Sequence, residues 1–158
     1  MKNIFKIITL FVLAFSLTAC SDDDATTVVP TLDVNYANLH GSWELIEWNG
    51  SPLPDGVYCY LVLERREHSF RIYQKFDSMY ARCITGVFEL TVDADGCDII
   101  SGSYDYGMGD WNRDYVITDL LEEGSMTWIV KGDESDVCMY CRCDEVPVEV
   151  IAESKSEE

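Results

Sequence analysis

Basic side chains are scarce in this sequence: 11 Lys+Arg stand against 29 Asp+Glu in 158 residues, a formal charge of −18. A surface that tracks phosphates needs a stripe of Lys and Arg, so nucleic-acid binding is excluded. Adsorption to anionic lipid headgroups is disfavoured for the same reason. Imidazoles are limited to His40 and His68. No Gly-x-Ser-x-Gly, phosphate-cradling glycine loop or His-Glu-x-x-His is present, which removes the common hydrolase, nucleotide and zinc-protease signatures. Amphipathic helical periodicity is missing as well. What the chain does have is apolar material, 47% hydrophobic and 12% aromatic residues, enough for one core in one compact domain.

The N-terminus carries an address. Lys2 and Lys6, an apolar run over 7–17 and the small pair Thr18-Ala19 compose a secretory signal peptide, residues 1–19. That run is shorter than the ~20 residues a permanent membrane-crossing helix requires. Leu17-Thr18-Ala19-Cys20 resembles the bacterial lipobox, which implies cleavage before Cys20 and acylation of that cysteine on sulfur and amine. Such chains suffice for stable membrane anchoring. Ser21-Asp22-Asp23-Asp24 is similar to the surface-export tag of Bacteroidetes lipoproteins, which implies an outer-membrane, lipid-anchored protein at the cell surface. Without residues 1–19, which hold Lys2 and Lys6, 9 basic side chains face 29 acidic ones. Residues 20–38 read as an acidic tether, 39–143 as the folded domain and 144–158 as an acidic C-terminal tail. Within that tail, alternating Val146, Val148 and Val150 predict a short edge strand.

Between His40 and Cys143 the dominant period is two, interrupted by turn chemistry. Trp43 and Leu45 oppose Glu44, and Asn49-Gly50-Ser51-Pro52 ends that run. Val57, Cys59, Leu61 and Leu63 form the next apolar face. Phe70, Ile72 and Phe76 follow, then Ile84, Phe88, Leu90 and Val92 up to the turn Asp93-Ala94-Asp95-Gly96. Ile100, Tyr104 and Tyr106 precede Gly107-Met108-Gly109-Asp110, and the last runs are 115–121, 126–130 and 137–143. The pattern predicts an all-β domain of eight antiparallel strands in an up-and-down meander. Closing the sheet as a barrel removes both exposed edges, and an open β-sandwich of the same strands is the alternative. Trp43, Phe70, Phe88 and Trp128 are expected to be buried.

Gly41-Ser42-Trp43 resembles the opening Gly-x-Trp strand of lipocalin-like proteins. Tyr115-x-Ile117-x-x-Leu120, Met126-x-Trp128 and Tyr140-x-Arg142 resemble the closing strands of small lipocalin-like lipoproteins of Bacteroidetes. The likeness covers roughly 39–143. It implies a barrel whose closed end is plugged by Trp43, with Arg142 stacked over that indole. The chain departs from this pattern in its cysteine content and in showing no evident helix after the last strand.

Apart from Cys20, six cysteines remain: Cys59, Cys83, Cys97, Cys138, Cys141 and Cys143. An even number in an exported chain favours disulfides. The meander excludes Cys83–Cys97, which would span a whole strand, far beyond the ~7 Å between Cα atoms that a disulfide tolerates. Cys138-x-x-Cys141-x-Cys143 has the look of a soft-metal cluster, but strand parity puts Cys138 on the opposite face from the other two. No metal and no cofactor is therefore expected.

Tyr58, Tyr60, Tyr104, Tyr106 and Trp111 fall near one end of the predicted barrel. Of these, Tyr58, Tyr104, Tyr106 and Trp111 are the candidate ligand-binding residues, and cross-strand aromatic pairing is the competing explanation. No preorganised acid, base or nucleophile emerges, so the protein is expected not to be an enzyme. The expected function is non-catalytic binding of a small, neutral, apolar or glycan ligand. The alternative is an interaction lipoprotein, an accessory subunit or inhibitor, with a filled barrel. A cavity of several hundred Å³ would separate the two.

Overall fold

Period-two alternation becomes strand along most of the computed structural model, which describes residues 29–76 and 80–155. Cys20 and the acidic cluster after it lie outside the described residues. In chain order the elements are α1 (Tyr36–Leu39), β1 (Gly41–Trp48), β2 (Ser51–Pro52), β3 (Tyr58–Glu64), β4 (Ser69–Lys75), β5 (Arg82–Val92) and β6 (Asp98–Tyr104). A 3₁₀ turn (Asp105–Gly107), β7 (Tyr115–Thr118), β8 (Ser125–Val130), β9 (Asp133–Cys143) and α2 (Val148–Lys155) complete the fold.

From β3 to β9 each strand pairs antiparallel with the next, and β9 returns to β1 from Ser42↔Cys143 to Trp48↔Cys138. The eight strands β1 and β3 to β9 thus form a closed antiparallel barrel, as the meander predicts. The ninth strand, β2, is a two-residue extension that the sequence pattern did not announce. It forms because Asn49 (φ 53°) and Gly50 (φ 72°) adopt the left-handed geometry of a two-residue hairpin turn, folding Ser51 back onto Trp48. Its proline lies on an edge, where the missing N–H costs nothing.

Inward-facing side chains fill one half of the barrel, its base. Leu39, Trp43, Leu61, Leu63, Phe70, Ile100 and Met126 are fully buried there, with Phe88 and Ile117 beside them. Trp128 is also buried, as expected. Each such side chain contributes about 1.5–3 kcal/mol by leaving water. The base is sealed by Trp43, whose Nε1 donates to Leu39 O at 2.9 Å, and by the Arg142 guanidinium, 4.2 Å from the indole centroid. Arg142 also donates to His40 O and Asn38 O, each at 2.7 Å. Gly41 makes room for it, since a Cβ there would lie 2.6 Å from Arg142 Nη1 and the backbone has φ +130°.

Two expectations about the flanks are corrected. The folded unit begins upstream of residue 39: Leu32 N donates to Leu120 O (2.7 Å), Glu122 N to Pro30 O (3.0 Å), and Leu32, Val34 and Tyr36 pack on the core. The last part of the proposed tether is therefore part of the barrel. Downstream, the predicted edge strand is the helix α2. Val150 from this helix and Val146 just ahead of it pack with Tyr60 and Tyr73 on the outer wall, and Glu153 bridges Lys75 Nζ (2.5 Å) and Tyr58 Oη (3.0 Å).

The wall has one thin place. β6 and β7 share only Ile99↔Val116 and Ile100↔Tyr115. Beyond that point the long β6–β7 loop takes over the β6 edge, with Trp111 N donating to Gly102 O (2.7 Å) and Tyr104 N to Gly109 O (2.8 Å).

Candidate functional site: the open half of the barrel

Opposite the base, the connections after β1, β4, β6 and β8 surround a mouth, beneath which lies a cavity of about 390 Å³. Its wall is strand-borne. Leu45 and Trp48 come from β1, Cys59 from β3, Ile72 and Gln74 from β4, Tyr115 from β7, and Trp128 from β8, while β9 brings Cys138 and Tyr140. Tyr104 and Trp111 enter from β6 and the loop after it. The rings interlock. Trp128 is 5.1 Å from Tyr140, 5.4 Å from Tyr115 and 6.0 Å from Trp111, centroid to centroid, and Trp111 meets Phe70 edge-on at 5.1 Å.

Charge is confined to the rim. Asp136 accepts from Trp48 Nε1 (2.9 Å) and pairs with Arg113 Nη1 (2.5 Å), tying β1, the β6–β7 loop and β9 together across the mouth. Deeper down, burial dominates the electrostatics. It pushes the Cys59 thiol up to about 12, with Cys138 adding to the effect, and Cys138 up to about 11, where Asp136 adds its repulsion. Burial also holds the Tyr140 phenol well above its ordinary range. Both cavity thiols are thus protonated at neutral pH, unlike the thiolates that serve as nucleophiles and metal ligands.

These shifts carry a pH dependence. A thiol whose pKa is raised on folding adds stability that is complete below its unfolded value near 9 and is lost as pH climbs through the folded value. The urea midpoint should therefore fall between about pH 9 and 12, through Cys138 first and Cys59 later. Replacing both by alanine should flatten that decline, as read from midpoints collected at pH 7, 9 and 10.5.

The candidate ligand residues divide. Tyr104 and Trp111 line the cavity. Tyr58 does not, because β3 turns Cys59 inward and Tyr58 outward, where it donates to Glu153. Tyr106 does not either, standing 95% exposed at the tip of the 3₁₀ turn with φ 61°. The barrel-closing pair, Trp43 and Arg142, meets as anticipated. Trp128, Tyr115 and Tyr140 are wall residues that the sequence reading did not select, although their place on inward-facing strand positions was visible.

No disulfide joins any two of Cys59, Cys83, Cys97, Cys138, Cys141 and Cys143, so the pairing that their even number favours is not formed. Cys59 and Cys138 line the interior, whereas Cys143 packs against the outer aromatic cluster. Among the described residues no group of three or more His, Cys, Asp and Glu converges to hold a metal. His40 lies at the base, 2.9 Å from Leu63 O, and His68 stacks on Tyr36 at 3.7 Å outside the cavity.

Trp111 is held in place by an absence. A Cβ on Gly102 would lie 2.4 Å from its Cε2. Gly102→Ala should therefore push the indole toward the cavity and weaken uptake of an apolar fluorescent probe several-fold. A titration of that variant against the unaltered protein checks this.

Comparison with family models, curated proteins and solved structures returned no match to this chain.

Proposed function

We propose that this protein is a membrane-anchored, surface-exposed lipoprotein that binds a small, mainly apolar molecule and performs no chemistry on it. The observation that carries this reading is the cavity of about 390 Å³ in the open half of the barrel, within the range usual for small-molecule sites. A filled barrel was the premise of the interaction-protein alternative, and the open half favours binding. Aromatic rings make up much of the wall, which favours an apolar ligand over a glycan. The lipobox at Leu17-Thr18-Ala19-Cys20 supports the anchoring half of the proposal.

Tryptophan fluorescence against panels of apolar molecules and oligosaccharides is the test. Saturable binding of an apolar member, weakened at least about tenfold by Trp111→Ala, is expected. No binding from either panel would overturn the reading. Anchoring is tested separately: Cys20→Ser should move the protein from the membrane to the soluble fraction, and mass spectrometry should lose the acyl chains.

A further inference from the structure

Three phenols in the cavity wall have nothing to bond to. Tyr104, Tyr115 and Tyr140 line the cavity, and none of their hydroxyls has a hydrogen-bond partner among the described residues. Tyr140 lies deepest. It follows Asp136 and Cys138 down β9 from the rim, pairs in register with Leu45 and the fully buried Met126, and is 7% exposed. Its Oη is nevertheless open: among the described residues, the buried side-chain N and O atoms sealed off without a partner are the Nε1 atoms of Trp111 and Trp128 alone. On an inward strand position that opening is the cavity. The phenol stands within electrostatic reach of Cys59 on β3, Cys138 on β9 and Tyr115 on β7, which all line the same space.

The remaining polar side chains of the cavity divide by position. Trp48, Arg113 and Asp136 answer one another on the rim. Gln74 stands opposite Cys59 in register, Asn112 is exposed on the β6–β7 loop, and neither amide has a partner among the described residues. The unpaired polar groups are thus all neutral. Phenols and amides both give and take hydrogen bonds, and a protonated thiol does so weakly.

We propose that Tyr140 sets the specificity of the cavity, and that its ligand is an uncharged, mainly apolar molecule whose inner end carries a hydroxyl received by Tyr140 Oη on the cavity floor. This rests on the binding function proposed above and specifies its chemistry. A hydroxyl matches a phenol in both roles, accepting its proton and keeping one to give. A ketone takes the proton and returns none. A hydrocarbon end would leave the phenol unpaired and forfeit a hydrogen bond. A charged head of either sign would be buried on the floor without a counter-ion, because Arg113 and Asp136 are already paired on the rim.

Probes built on one naphthalene skeleton separate the possibilities by titration calorimetry: 2-isopropylnaphthalene, 1-(2-naphthyl)ethanol, 2-acetylnaphthalene, 2-naphthoate and 1-(2-naphthyl)ethylammonium. The alcohol should bind roughly tenfold tighter than the hydrocarbon, the scale set by pairing one buried polar group. The ketone should fall between them, and the two ions should be weakest. In Tyr140→Phe, which keeps the ring and removes only the hydroxyl, the preference for the alcohol should shrink to about twofold or less while the hydrocarbon binds as before. Carbon-13 labelling of tyrosine Cζ in the unaltered protein supplies a readout independent of that variant's folding. The alcohol should move the Tyr140 signal, and the hydrocarbon should move it less.

Equal binding of the alcohol and the hydrocarbon with the same Tyr140 signal would overturn the inference and assign the phenol to water, while the binding function stood. Tightest binding of the ketone or of either ion would overturn it in favour of that head group. A preference for the alcohol that survives unchanged in folded Tyr140→Phe would overturn the role of Tyr140. Failure of all five probes to bind would overturn the inference together with the binding function.

Discussion

Replacing Trp43 by alanine should cost about 3–5 kcal/mol of unfolding free energy, the range for truncating a large buried aromatic. The side chain is fully buried, and the change would remove three things together: the packing of the base, the hydrogen bond to Leu39 O and the face on which Arg142 lies. Because the guanidinium also ties Asn38 O and His40 O to β9, loss of the indole should loosen α1 from the barrel floor. Urea titration followed by far-ultraviolet circular dichroism would measure the cost. A loss under 1 kcal/mol would show that the base is not sealed by this residue. Arg142→Lys should cost less than Trp43→Ala, since it keeps the charge but loses the fork that serves two carbonyls.

The second large effect is expected at Gly86. This residue sits between Phe70 on β4 and Tyr104 on β6, and a Cβ there would lie 2.1 Å from Ser103 O and 2.7 Å from the Phe70 ring. Backbone on one side and a fully buried ring on the other leave nothing that yields cheaply. Gly86→Ala should destabilise by roughly 1–3 kcal/mol and Gly86→Val by more, as overpacked cores do. Gly56 supplies the contrast in space, because a Cβ there meets nothing within 4 Å, and any cost of Gly56→Ala comes from its φ of +80° alone. Thermal melts of the three variants should rank with Gly86→Val lowest.

Much of the barrel was legible because strand side chains alternate and the alternation was clean. Trp43 and Leu45, Cys59, Leu61 and Leu63, and Met126 and Trp128 each mark an inward face, and all seven are buried. The same parity argues against Tyr58 as a cavity residue: if Cys59 and Leu61 point inward, Tyr58 and Tyr60 point out, and an aromatic composition near the mouth does not override that. Tyr106 escaped the pattern because the strand ends at Tyr104 and a left-handed residue follows. The flanks were misread through the wrong period. Val146, Val150 and Ser154 recur every four residues and are buried together, with Pro147 just ahead of the helix, where its missing N–H is harmless. Reading Val146, Val148 and Val150 as a period of two selected Val148, which is 72% exposed. Upstream, Asn35 caps α1 through Ala37 N and Asn38 N, a signal hidden in a segment whose acidity suggested a tether. Register keeps Cys138 and Cys143 from pairing, since one lies inside the barrel and the other outside along the same strand.

The route by which the chain enters the barrel gives the molecule a polarity. Thr31 bridges Leu121, so the described chain joins the structure at the β7–β8 turn, on the plugged side. At the other terminus α2 climbs the outer wall until Glu153 meets Lys75 and Tyr58, on the mouth-side ends of β4 and β3. The two ends of the folded unit therefore leave from opposite poles. An attachment upstream of Thr31, if the anchoring proposed above holds, would grip the barrel by its floor, like a cup on a stem, with the rim carrying Trp48, Arg113 and Asp136 turned away from it.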